Sequence, residues 1–123
     1  MTKLQIADNL TIAVEGGEYG PYVRLQRSDR WFTMTRGQWS KLLQRNEVFG
    51  AVNQPQFKIN PDKITLSETK EVSVVRFKER NYLSFHAVNK TKERVFDNYI
   101  NLNSAEVNTL LACLPRISGL LSV

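Results

Sequence analysis

The chain has 123 residues, 41% of them hydrophobic, and 17 Lys+Arg against 12 Asp+Glu give it a net charge of +5. That length suits one domain or two small halves sharing a core, and the apolar content excludes a disordered chain. A single cysteine excludes an intrachain disulfide, one cysteine with one histidine falls short of a usual zinc ligand set, and the positive charge favours polyanionic partners.

In chain order, the first strand signals are alternations. Leu10, Ile12 and Val14 oppose Thr11 and Ala13; Val23 and Leu25 oppose Tyr22, Arg24 and Gln26; Phe32 and Met34 oppose Trp31 and Thr33. Gly16-Gly17 and Gly20-Pro21 mark a turn region between strands. A helix is then predicted over 36–49. Thr35 and Gln38 have capping-box spacing, and Trp39, Leu42 and Leu43 fall on one helical face.

The second half repeats this order. Val72 and Val74 oppose Ser73, Val75 and Phe77; Leu83 and Phe85 oppose Tyr82, Ser84 and His86; Ile100 and Leu102 oppose Tyr99 and Asn101. Asn103 and Glu106 form the second cap pair, followed by the stripe Val107, Leu110, Leu111 and Leu114, with Pro115 expected to end or kink the helix. The apolar tail SGLLSV is expected to pack on the rest, and Cys113, within LLACL, to be a buried, inert thiol. Strands with period two have one covered and one open face.

Aligning the caps pairs Thr35 with Asn103, Trp39 with Val107, and Trp31 with Tyr99; the triplets Leu4-Gln5-Ile6 and Phe57-Lys58-Ile59 are taken to correspond. The expected fold is therefore α+β: two β-β-β-β-α units, 1–53 and 54–123, forming a dimer-like body with a linker over 50–56.

The second half, EVSVVRFKERNYLSFHAV and then YINLNSAEVNTLL, resembles the core of the transcriptional positive cofactor four family. Phe77, Lys78 and Arg80 match its aromatic-basic element, and Ile100 and Leu102 its last strand. The family's early helix tryptophan is Val107 here but is kept in the first half as Trp39, where Arg30 also stands for the family's lysine before the last strand. The resemblance implies a four-stranded antiparallel sheet followed by one helix. It implies binding of single-stranded DNA or unwound duplex across the sheet, and a tandem form of a homodimer.

The alternation assigns Tyr22, Arg24, Trp31, Phe77, Tyr82, His86 and Tyr99 to the open faces, with Arg27, Arg30, Lys78 and Arg80 at strand ends or turns beside them. Aromatic rings stack unpaired bases and cations hold phosphates. Glu15 and Gly17 stand where the second half has Val75 and Phe77, so the second copy is expected to dominate unless Tyr19 substitutes. The basic stretch over 89–96 is either a phosphate-touching loop or a solvated hairpin turn.

No Gly-rich phosphate loop and no Ser/His/Asp set is visible, so neither an enzyme nor a cofactor is expected. The primary expectation is a sequence-tolerant single-stranded DNA-binding protein of transcription, replication or recombination, including one of viral or phage origin. RNA binding, and a protein-interaction module that contacts polymerase machinery or another copy of itself, are the alternatives. The N-terminus MTKLQIADNL carries no basic-then-apolar signal, so an intracellular setting is expected, nuclear or in the cytoplasm of an infected host cell.

Overall fold

The computed structural model describes residues 2–45, 47–53, 63–90 and 95–121. Strands β1 (Thr2–Ala7), β2 (Leu10–Gly17), β3 (Gly20–Arg27) and β4 (Arg30–Thr35) form one antiparallel sheet in sequence order. Strands β5 (Ile64–Ser67), β6 (Lys70–Phe77), β7 (Arg80–Lys90) and β8 (Val95–Leu102) form a second. Helices α1 (Arg36–Gln44) and α2 (Glu47–Ala51) follow the first sheet, and α3 (Ser104–Leu121) follows the second, giving an α+β fold. No helix among the described residues is long and apolar enough to cross a membrane.

The two sheets repeat one register. The pairing from Leu10↔Arg27 to Gly17↔Gly20 recurs as Lys70↔Ala87 to Phe77↔Arg80. The pairings Val23↔Met34 and Gln26↔Trp31 recur as Leu83↔Leu102 and His86↔Tyr99. Even the irregularity in the first strand repeats, between Gln5 and Ala7 and between Thr65 and Ser67. The register makes Ile64-Thr65-Leu66 the counterpart of Leu4-Gln5-Ile6. The triplet Phe57-Lys58-Ile59 expected in that role lies outside the described residues, as does the expected boundary between residues 53 and 54 on its second side.

Alternation buries one face of each sheet. Ile12, Val23, Leu25, Phe32 and Met34 from the first, and Val72, Leu83, Phe85, Ile100 and Leu102 from the second, belong to a single core. Burying each such side chain stabilises the fold by about 1.5–3 kcal/mol. One copy of this size has a thin core, and the copies share their helices accordingly. Helix α3 packs on β1, β2 and β3 as well as on β7 and β8; α1 packs on β3, β4 and β5; α2 packs on β6 and β7.

The edges β4 and β8 meet at the pseudo-twofold. Arg30 Nη1 donates to the Tyr99 carbonyl (3.4 Å), and Asn98 Nδ2 donates to the Trp31 carbonyl (2.7 Å). Asn98 is the counterpart of Arg30 and Tyr99 that of Trp31, so the seam is reciprocal, as in a symmetric dimer. Phe32 and Phe85 meet edge-to-face across it at 5.4 Å.

Three local expectations are corrected. The helix predicted over 36–49 stops at Gln44, with Arg45 out of helical conformation (φ −111°, ψ 49°), and restarts at Glu47. At roughly 3.6 residues per turn, a continuous helix would point Val48 away from Trp39. The break lets Trp39, Leu42, Val48 and Phe49 all be buried. Gly50 and Ala51 consequently stand at the end of α2 or inside it, not in a linker. Finally, of the two outcomes expected at Pro115, an end or a kink, the end is excluded, since α3 runs on to Leu121. An internal proline costs a helix ~3 kcal/mol, but Ile117 and Leu121 beyond it are buried, and that anchors the last turns. Cys113 is half-buried against the core.

Both capping boxes form. Thr35 Oγ1 accepts from the Gln38 amide while Gln38 Oε1 accepts from the Thr35 amide. Asn103 Oδ1 accepts from the Glu106 amide while Glu106 Oε1 accepts from the Asn103 amide.

Candidate nucleic-acid interface

The same alternation that buries one face leaves the other to solvent. On the second sheet, Phe77 pairs with Arg80, Val75 with Tyr82, Glu71 with His86, and His86 with Tyr99. These side chains share the open face because directly opposed residues point the same way. Phe77 is 62% exposed and Tyr99 44%, unusual for rings that have a core beneath them.

The turn between β6 and β7 has two residues, Lys78 and Glu79, both with positive φ (49° and 65°). Two-residue hairpins favour this geometry because its twist matches the strands, but they usually fill it with Asn or Gly. Here the turn brings the Lys78 ammonium to 5.3 Å from the centre of the Phe77 ring. With Arg80 its direct cross-strand neighbour, this end of the sheet carries an exposed ring beside two basic residues.

The other end is chemically different. His86 lies parallel to Tyr99, with ring centres 4.2 Å apart. Its Nδ1 is 3.1 Å from Glu71 Oε1 and its Nε2 is 2.8 Å from Asp97 Oδ1. Partial burial opposes the imidazolium, but hydrogen bonds to Asp97 and Glu71 outweigh it and hold the His86 pKa above its ordinary value. Glu71 is held low, first by His86 and then by Lys63, whose ammonium is 3.2 Å from Glu71 Oε2. Tyr99 therefore stacks on an imidazole held between two carboxylates that favour its protonated form.

The first sheet's open face is sparser. Trp31, 53% exposed, takes the position of Tyr99 and has the Arg24 guanidinium 5.3 Å from its ring centre. Arg24 also lies 3.7 Å from Glu15 Oε2. The Tyr22 hydroxyl donates to the same Glu15 oxygen (2.6 Å), and that bond to a carboxylate raises the phenol pKa. Gly17 occupies the place of Phe77, and a Cβ there would stand 3.1 Å from the Tyr22 ring. The ring of Tyr22 thus leans closely over this position, with the Gly20 carbonyl at the same distance. Tyr19, at the turn tip, is 98% exposed.

The structure places Tyr22, Arg24, Trp31, Phe77, Arg80, Tyr82, His86 and Tyr99 on the two open faces, with Lys78 in the turn beside Phe77. Arg27 is a correction. It lies on the covered side, where its Nη2 donates to both carboxylate oxygens of Glu106 (3.0 and 2.9 Å) and to the Asn101 carbonyl (2.9 Å). Its alternation partners are Val23 and Leu25, so the register already turned it away from the open face. Arg30, opposite Arg27 and in alternation with Phe32 and Met34, is likewise turned from the open face; its exposed side chain sits at the seam, on the Tyr99 carbonyl. The side chains over 89–96 lie outside what the structure describes.

Glu71, Asp97 and Lys70 were not legible as site residues. The two acids meet His86 only through the registers of β6, β7 and β8. Lys70 did leave a signal, as a lysine on the same alternation face as Val72 and Val74.

Searches against known families, curated proteins and solved structures return no match for this chain.

Proposed function

We propose that this protein binds single-stranded nucleic acid, DNA in the first instance, across its open sheet faces with little sequence preference. It would act as an internally duplicated relative of the transcriptional positive cofactor four family in transcription, replication or recombination. The function proposed is binding without chemistry. The single observation that carries it is the exposed Phe77 ring, with Lys78 above it and Arg80 opposite. An exposed ring beside basic residues suits a base with its phosphates, and stacking is worth ~1–3 kcal/mol per base. A duplex hides its base faces, so this arrangement favours an unpaired strand. Trp31 with Arg24 provides a smaller version on the first copy.

Fluorescence anisotropy of a labelled oligonucleotide of about 20 nucleotides, single-stranded against duplex and across a salt series, tests it. Strong single-strand preference with affinity falling steeply in salt is expected, at a log–log slope of about −0.7 per phosphate contacted. Equal, weak binding to both forms would overturn the proposal and favour a protein partner. Competition with RNA of equal length assigns the sugar preference.

A further inference from the structure

The pseudo-twofold exposes an imbalance between the two copies. Each copy sends one long cation across to the other. Arg27 of the first reaches the Asn101 carbonyl, and Lys70 of the second reaches the carbonyl (2.6 Å) and hydroxyl (2.9 Å) of Thr33. Thr33 and Asn101 are counterparts, each opposite the equivalent residue of the neighbouring strand (Arg24↔Thr33, Ser84↔Asn101). In one direction the charge is neutralised, because Glu106 of α3 grips Arg27 at 2.9 Å. In the other it is not. The equivalent helix position is Gln38, which is neutral, and among the described residues no carboxylate lies within ion-pair distance of Lys70. Lys70 is half-buried, and burial holds its pKa below the ordinary lysine value. An ammonium has three donors, and Thr33 takes two of them.

Its ammonium lies 5.6 Å from the centre of the Phe32 ring, and Lys70 lines an open groove of about 800 Å³ between the turn joining β2 to β3 and the start of α1. Tyr22 supplies an aromatic wall, Tyr19 stands at the rim with its ring in solvent, and Arg36 adds a second cation, with Glu18 the acid on the lining. Ligand sites of roughly 300–1,000 Å³ with a mostly apolar lining and a few convergent polar groups are typical for molecules of nucleotide size. The counterpart groove of the second copy, lined by Glu79, Arg80, Asn81 and the start of α3, is smaller, at about 470 Å³, and is bordered by Val52 and Asn53 after α2. It has no counterpart of the lysine, because Leu10 stands where Lys70 does.

We infer that the groove between Tyr19, Tyr22 and Lys70 is a nucleotide subsite of the first copy, in which a base lies against the tyrosines and its phosphate supplies the counter-charge that Lys70 lacks. The inference rests on strand binding and assigns the first copy a role that its missing aromatic-basic element conceals. A bound strand would then touch both copies, with Phe77 and Arg80 on one and this groove on the other.

Amide NMR spectra of the full chain, titrated with a single-stranded oligonucleotide of about 20 nucleotides, should show the signals of Tyr19, Tyr22, Thr33 and Lys70 moving together with those of Phe77 and Arg80. Lys70→Met should weaken binding severalfold and make the salt slope shallower by about 0.7, and Lys70→Arg should restore the slope. Shifts confined to Phe77, Arg80 and Tyr82, with an unchanged slope for Lys70→Met, would overturn the subsite and leave strand binding intact. No shift anywhere would overturn both. The wild-type titration decides the matter even if Lys70→Met fails to fold.

Discussion

Replacing Glu106 by glutamine gives the second copy the residue its counterpart already has, Gln38. The amide can still accept from the Asn103 backbone, so the cap arm survives. What is lost is the charge that meets Arg27 at 2.9 and 3.0 Å. Glu106 is 9% exposed, so water replaces little of that interaction. Hydrogen bonds to charged groups contribute about 1.5–3 kcal/mol, and in place of the carboxylate Arg27 would meet a neutral amide oxygen, beside Asn9 Oδ1 and the Asn101 carbonyl. Glu106→Gln should therefore cost about 1.5–3 kcal/mol, or about 5–15 °C in Tm for a chain of this size. Gln38→Ala, which removes a cap arm with no ion pair behind it, should cost about 0.5–1 kcal/mol. Urea denaturation at constant m reads both, and a double-mutant cycle with Arg27→Met isolates the pair. A coupling energy below about 0.5 kcal/mol, the ordinary limit of additivity, would refute the claim that this ion pair fastens the two copies together.

Phe77→Ala should leave Tm unchanged, since the ring is 62% exposed, but should weaken single-strand binding by about 1–3 kcal/mol in anisotropy; a stability loss without a binding loss would make Phe77 structural. The His86 cluster sets a pH window. The raised His86 pKa contributes stability that is complete below 6.5 and is lost as pH rises through the raised value, while the lowered Glu71 pKa contributes stability that is complete above 4.5 and is lost as pH falls. The Tm gap between wild type and His86→Gln should thus be widest between 4.5 and 6.5 and close at alkaline pH; a gap that ignores pH in differential scanning fluorimetry would mean that His86 is held by packing alone. Glu79, at φ 65°, should gain about 1 kcal/mol on Glu79→Gly, because the left-handed conformation costs other residues roughly 1–2 kcal/mol; an unchanged urea midpoint would show that the turn is unstrained.

Much of this architecture was written in local patterns. Alternation set the faces of Val23, Leu25, Leu83 and Phe85, and the pairs Thr35/Gln38 and Asn103/Glu106 placed both helix starts. These signals need only neighbours within a few residues, so they survive without a tertiary context. The duplication was legible for the same reason, since the two copies repeat one pattern even where they share few letters. The open-face aromatics Trp31, Phe77 and Tyr99 followed from the period alone.

What the tertiary structure decided lies between residues far apart in the chain. The break at Arg45 exists because α2 must turn Val48 and Phe49 into a core shared with the second sheet. Arg27 is a fastener because Glu106 arrives from the other copy. His86 is a clamped imidazole with a raised pKa because three strands bring Glu71 and Asp97 to either side of it. Lys70 has no carboxylate partner among the described residues because the helix beside its partner strand carries Gln38 where the other copy carries Glu106. A charge or an aromatic ring in a sequence acquires its role from whatever the register and the pseudo-twofold set against it, and period-two alternation specifies the face of a residue but not its neighbour.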